Sequence, residues 1–207
     1  MDLQKRISAL ELFQTKFKGL HNKEFTPLTE EQIDLRINMY DEEAEEFLKA
    51  HRLKDKVEEL DAIADELFLT IGDAVCFGIQ DKLKILEYDV YYFNSAKALT
   101  LMSLLYSEDL RYNSEKSVID SCNNRLNRIL AKAVILYNVN AMEIVNKAMD
   151  IVEESNMSKL GDDGEPIIND PKSEYYDSNK PLGKVLKNPN TYFEPTERLE
   201  ALLKEFE

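Results

Sequence analysis

The chain has 207 residues, with 26 Lys+Arg against 40 Asp+Glu and a formal charge of −14 at neutral pH. Hydrophobic residues make up 43% of it, too many for a wholly disordered chain, and the length allows one domain, with room for an appendage, able to bury a core. The charge argues against a phosphate-backbone binder, because nucleic-acid affinity comes mostly from Lys and Arg; no nucleic-acid partner is expected.

Cys76 and Cys122 are too few for a disulfide framework or a Cys-rich zinc site, which points to a reducing cytoplasm. The stretch MDLQKRISALELF carries charge where a signal peptide needs an apolar core. No run approaches about 18 consecutive apolar residues, so no membrane span is expected.

No proline stands between Pro27 and Pro166, and that region holds few glycines. It reads as helix after helix. The first helix with a clear start begins at Thr29, where Thr29-Glu30-Glu31-Gln32 fits a capping box. Ile33, Ile37, Tyr40, Ala44, Phe47 and Leu48 follow as one apolar stripe. A second helix is predicted over about Lys56–Phe77, with Leu60, Ile63, Ala64, Leu67, Ile71, Ala74 and Val75 on one face and Gly78 as its stop. Further helices are predicted over roughly 82–107, 115–136 and 141–154. From Gly161 the texture changes to prolines and glycines, giving a loop over 161–195 and a short helix over Glu197–Phe206. No β-type alternation stands out, so the fold class is all-α. The expected organisation is a helical domain over 1–160 with a loop-rich segment over 161–207.

Carboxylates cluster on both leading helices. Glu43 and Glu46 are neighbours one turn apart at the border of the first apolar stripe, and Asp61 and Asp65 repeat the arrangement on the second helix. Either pair alone is most simply a solvated face. Two pairs on consecutive helices repel strongly unless cations neutralise them, and hard divalent ions with oxygen ligands do that. A di-iron bundle would need Glu-x-x-His pairs, but Lys18 and Leu48 precede His21 and His51 by three.

Arg36-x-x-Met39-Tyr40-x-Glu42-Glu43-x-x-Glu46-Phe47 resembles the first motif of the all-α nucleoside triphosphate pyrophosphohydrolases, the MazG-like superfamily. Glu58-Glu59-Leu60-Asp61 through Asp65, the apolar run to Gly72, and Gly78-Ile79 resemble the second. Ser155-Asn156-Met157-Ser158-Lys159 and Gly183-Lys184-Val185-Leu186-Lys187-Asn188-Pro189-Asn190 are similar to the C-terminal segments of its bacteriophage-type branch. Two departures stand out. Ala62 occupies a position where many members carry Glu, and residues 80–132 look like a helical insertion.

The resemblance implies cleavage of a (d)NTP between the α- and β-phosphates with Mg²⁺ or Mn²⁺. It implies Glu43, Glu46 and Asp65 as metal ligands with Asp61 as the fourth, and Glu42 as a further ligand or the residue orienting water. Asn156, Lys159, Lys184, Lys187 and Asn190 would bind substrate, and Tyr192 is a further aromatic near them. The phage-type resemblance favours dATP and dGTP, with dUTP as runner-up. The rival class is a nucleotide-binding or scaffold protein that has lost turnover. A cytoplasmic homo-oligomer, dimer or tetramer, is expected.

Overall fold

The computed structural model describes residues 1–85, 95–180 and 182–207. Helix α1 spans Leu3–Lys16, where Asp2 caps the first turn by accepting from the Lys5 N–H at 3.1 Å. Helix α2 spans Glu30–Leu53 and starts with the expected capping box. Thr29 Oγ1 accepts from the Gln32 N–H, and Gln32 Oε1 accepts from the Thr29 N–H. The predicted stripe is its buried face, with Phe47 wholly enclosed and Leu48 half-buried.

Helix α3, Lys56–Phe77, follows after a two-residue connection. Lys54 takes the left-handed conformation there, and Asp55 caps α3 through the Val57 and Glu58 N–H groups. Gly78 ends α3 at φ 71°, and the Ile79 N–H reaches back to the Ala74 carbonyl at 2.8 Å. A Cβ on Gly78 would fall 2.1 Å from the Glu24 carbonyl oxygen, so close approach as well as conformation requires glycine.

The reading of α3 as an amphipathic helix with one buried face gives way to a central helix buried on nearly every side. Leu60, Ile63 and Leu67 share a core cluster with Ile129, Val145 and Met149. Ile71, Val75 and Phe77 share another with Leu10, Ile37 and Leu110. Charged residues on its far side are therefore buried too: Glu59, Glu66 and Asp73.

Beyond α3, the helix expected over 82–107 begins later. A short 3₁₀ turn covers Gln80–Lys82, and α4 covers Ala96–Glu108; residues 86–94 lie outside the described residues. The chain just before that gap is not helical because side chains take its backbone groups. Asn123 Oδ1 accepts from the Lys84 N–H at 2.6 Å, and Asn127 Nδ2 donates to the Lys84 carbonyl at 2.9 Å. Helix α5, Glu115–Tyr137, packs against α3 and α4, and α6, Ala141–Met157, packs against α3 and α5. The run Glu115–Met157 is long and apolar enough to cross a membrane by composition alone, yet Leu126, Ile129, Val145 and Met149 lie inside the core.

Residues 161–195 hold no helix among those described, and Asn169 knits them together. Its backbone exchanges bonds with Lys184 and Gly183, while its Nδ2 donates to the Asp177 and Lys180 carbonyls. Helix α7, Thr196–Lys204, docks Leu199 and Leu202 into the core.

Candidate active site

Helices α2 and α3 run antiparallel in a register that polar pairs mark. His51 meets Glu59 at 2.6 Å, the Tyr40 hydroxyl donates to Asp73 at 2.7 Å, and Arg36 donates to Asp73 at 2.9 Å. In that register Glu43 comes beside Asp65, and both line one pocket of about 510 Å³ together with Asp61. The opposite wall is the end of α6, which runs three residues past its predicted end and so carries Asn156 on its last turn, with Lys159 just beyond. Ser155 Oγ donates to the Phe193 carbonyl and Thr191 Oγ1 to the Ser158 carbonyl, which draws Tyr192 and Glu194 to the rim.

Burial and mutual repulsion set the charge state of these acids. Burial, then Asp65, Glu46, Glu66 and Asp61, hold the Glu43 carboxyl far above the usual range. Burial with Glu58, Glu46 and Glu194 pushes Asp61 up to about 6. Asp65 is raised by burial and by Asp61, against which Lys159 acts. Burial lowers Lys159 in turn, with Asp65 opposing it, and its ammonium donates to Asn156 Oδ1 at 2.5 Å. Crowded, desolvated carboxylates beside a desolvated ammonium mark this pocket as the candidate functional site.

Of the residues singled out from sequence, the structure brings Glu43, Asp61, Asp65, Asn156 and Lys159 into the pocket. Glu46 is exposed beside it, and its charge is felt at Glu43 and Asp61. Lys187 is exposed at the rim, paired with Glu194 and 4.4 Å from the Tyr192 ring. Lys184 is exposed on the same loop, with its charge felt at Lys159. Glu42 and Asn190 are exposed and line no part of the pocket. The Asn190 N–H instead closes a turn on Asn188 Oδ1.

Residues 10–87 match the family model of phosphoribosyl-ATP pyrophosphohydrolase. No curated protein and no solved structure matches the chain. The match covers less than half of the chain and takes in α2, α3 and the second half of α1. Glu43, Asp61 and Asp65 thus sit in a segment similar to a pyrophosphohydrolase family, in agreement with the all-α MazG-like bundle expected. Asn156, Lys159 and the loop behind them lie outside the matched residues.

Within that segment, the donor set suits a hard cation. Glu43 Oε2 and Asp61 Oδ1 are buried with no hydrogen-bond partner, an expense that a cation would offset. Among the described residues no three Asp, Glu, His or Cys side chains converge into a ready-made metal cluster. A cation here would draw the rest of its shell from water and ligand oxygens, as Mg²⁺ commonly does.

Several pocket residues went unassigned from sequence. Arg36 lies seven residues before Glu43, on the same side of α2, and that spacing was the signal available. Asp73 fixes Arg36, and also accepts from Arg125 Nη2 at 3.0 Å; Arg125 in turn stacks 3.9 Å from the Tyr40 ring centre. Gln14, on α1, lines the pocket with no motif to mark it.

Proposed function

We propose that the chain is a nucleotide pyrophosphohydrolase that cleaves a (d)NTP between its α- and β-phosphates, giving (d)NMP and pyrophosphate. The observation that carries this reading is the meeting of Glu43, Asp61 and Asp65 with Asn156 and Lys159 in one pocket. A protein of charge −14 repels a triphosphate, so a cation must lie between carboxylate and phosphate.

Glu43, Asp61 and Asp65 would hold Mg²⁺ or Mn²⁺, with Glu46, one turn further along α2 from Glu43, as the candidate for a further ligand. When bound, the ion supplies charge neutralisation and a water of lowered pKa. Lys159 donates to a phosphate oxygen, oriented by its bond to Asn156. Lys184 and Lys187 extend that positive edge along the loop, and Tyr192 closes the rim. Asn190 and Glu42 stand outside this arrangement. The substrates that fit the reading first are dATP and dGTP, followed by dUTP. Phosphoribosyl-ATP, which the matched family's description names, has the same scissile linkage. The reading also takes a homo-oligomer in the cytoplasm.

One observation favours the rival reading, a nucleotide-binding protein without turnover. Ala62, where many MazG-like proteins carry Glu, is packed in the core and contributes no oxygen. Glu43→Gln and Asp65→Asn decide between the two. Pyrophosphate release should fall by roughly 100-fold or more in each variant while the circular dichroism spectrum stays helical. Wild-type protein that binds nucleotide and releases no pyrophosphate would establish the rival reading.

A further inference from the structure

The pocket has two unlike ends. Along α3 its lining runs from Asp61 through Asp65, Phe68 and Leu69 to Gly72, a rise of about 16 Å. Leu35, Met39 and Phe68 make the Gly72 half apolar. Glu194 stands at the Asp61 end, where its charge is felt at Asp61.

Glu194 is the fourth carboxylate of the lining, and unlike Glu43, Asp61 and Asp65 it is surrounded by donors. Its Oε1 accepts from the Lys187 ammonium, and its Oε2 accepts from the Tyr192 hydroxyl at 2.7 Å. Lys187 Nζ also lies 4.4 Å from the centre of the Tyr192 ring, and Lys159 Nζ lies 6.0 Å from it. Lys187 and Tyr192, with Lys159 behind them, hold the Glu194 carboxyl below the usual carboxylate range. Two ammoniums and a phenol thus gather on one oxyanion.

Neighbours in the chain fix where that oxyanion sits. The Phe193 carbonyl accepts from Ser155 Oγ at 2.8 Å, and the Phe193 N–H donates to Ser158 Oγ at 3.4 Å, both at the end of α6. Pro195 then leads into α7, whose Leu199 and Leu202 are docked in the core. Ammonium and hydroxyl donors converging on one anion are the contacts that a phosphate group takes. The ion pair with Lys187 is exposed on both sides, and such pairs are weak, so a phosphate with more oxygens and more charge can displace the carboxylate.

Resting on the pyrophosphohydrolase reading, we propose that the terminal phosphates of the substrate bind where the Glu194 carboxylate stands, and that Glu194 is their internal competitor. On binding, Lys187 and the Tyr192 hydroxyl pass from Glu194 to phosphate oxygens. The order along the pocket agrees with this. Its apolar half takes the nucleoside, Asp65 and Asp61 face the scissile linkage, and Glu194 marks the leaving pyrophosphate. Lys187 exchanges one anionic partner for another, which keeps its net contribution small while Glu194 is present.

Calorimetry with inorganic pyrophosphate and Mg²⁺ tests this without turnover. Glu194→Gln should tighten pyrophosphate binding roughly fivefold, the upper worth of an exposed ion pair. That gain has to come through Lys187, so in a Lys187→Ala background the same change should alter binding by less than about twofold. Removal of a nearby negative charge without competition would give equal gains in both backgrounds, and that additive result overturns the inference. dAMP with Mg²⁺ locates the subsite, because its one phosphate is the α-phosphate. Glu194→Gln should change dAMP binding by less than about twofold. An equal gain for dAMP and pyrophosphate, or no detectable pyrophosphate binding by wild type and variant alike, also overturns it. Absence of pyrophosphate release from every dNTP, with this binding pattern intact, would instead overturn the activity and leave the anion subsite standing.

Discussion

Lys132 on α5 donates to Glu66 on α3 at 2.6 Å, and both side chains are almost completely buried. The same ammonium lies 4.0 Å from the centre of the Phe47 ring, and its charge is felt by Glu43 while burial lowers its pKa. One cation on α5 thus braces the α2–α3 pair from behind the carboxylate pocket. Removing one partner of such a pair strands the other charge. Lys132→Met should cost about 3–5 kcal/mol, and Lys132→Met with Glu66→Met should recover most of that. Urea unfolding of the two variants checks this; a double variant as unstable as the single one would show that packing, not charge, is what matters.

Asp73 has a comparable place at the other end of α3, accepting from Arg36, Tyr40 and Arg125. Asp73→Ala leaves two buried guanidinium groups without their carboxylate and should cost about 3–5 kcal/mol. Tyr40→Phe removes one neutral donor and should cost about 1–2 kcal/mol. Similar losses in the two variants, measured by chemical denaturation, would mean the arginines find other partners.

The pocket acids make metal-free stability depend on pH in a definite direction. Burial raises the folded Asp61 from 3.8 to about 6, and Glu43 and Asp65 are raised as well. Between the unfolded and folded values the folded state holds more protons, so stability falls as pH rises. In EDTA the melting temperature should decline from about pH 4 to pH 6 and continue to decline above that as Glu43 and Asp65 ionise. Glu43→Gln should flatten the upper part. A metal-free melting temperature that rises over this range would contradict the crowding of these carboxylates.

Much of the frame is legible in the chain. The Thr29 cap, the stripe from Ile33 to Phe47 and the Gly78 stop follow from local chemistry, and local chemistry acts on these residues alone. The buried charges of α3 are not legible in this way. Nothing in the sequence marks Glu66 and Asp73 as buried, because their cations, Lys132 and Arg125, lie more than fifty residues further along the chain. Helix α1 was not marked out either: its apolar pattern is weak, and Gln14 becomes meaningful only when α1 packs beside Gly72. Asn190 had the right motif for a ligand residue, but its backbone closes a turn on Asn188 outside the pocket.

The lysines should separate by position. Lys159 lines the pocket, so Lys159→Ala should lower kcat/KM by about 1–3 kcal/mol in transition-state terms. Lys187 is already paired with Glu194 at the exposed rim, so Lys187→Ala should cost less. Steady-state kinetics on the two variants decides; an equal loss would mean the loop reaches the phosphates as closely as α6 does.

The most direct test of the whole account is the product pattern of a single dNTP digest with Mg²⁺, resolved by anion-exchange chromatography. A pyrophosphohydrolase working through a cation held by Glu43, Asp61 and Asp65 yields dNMP and pyrophosphate in equal amounts, with neither appearing in EDTA. A digest yielding dNDP and orthophosphate, or one that proceeds unchanged without metal, would contradict it.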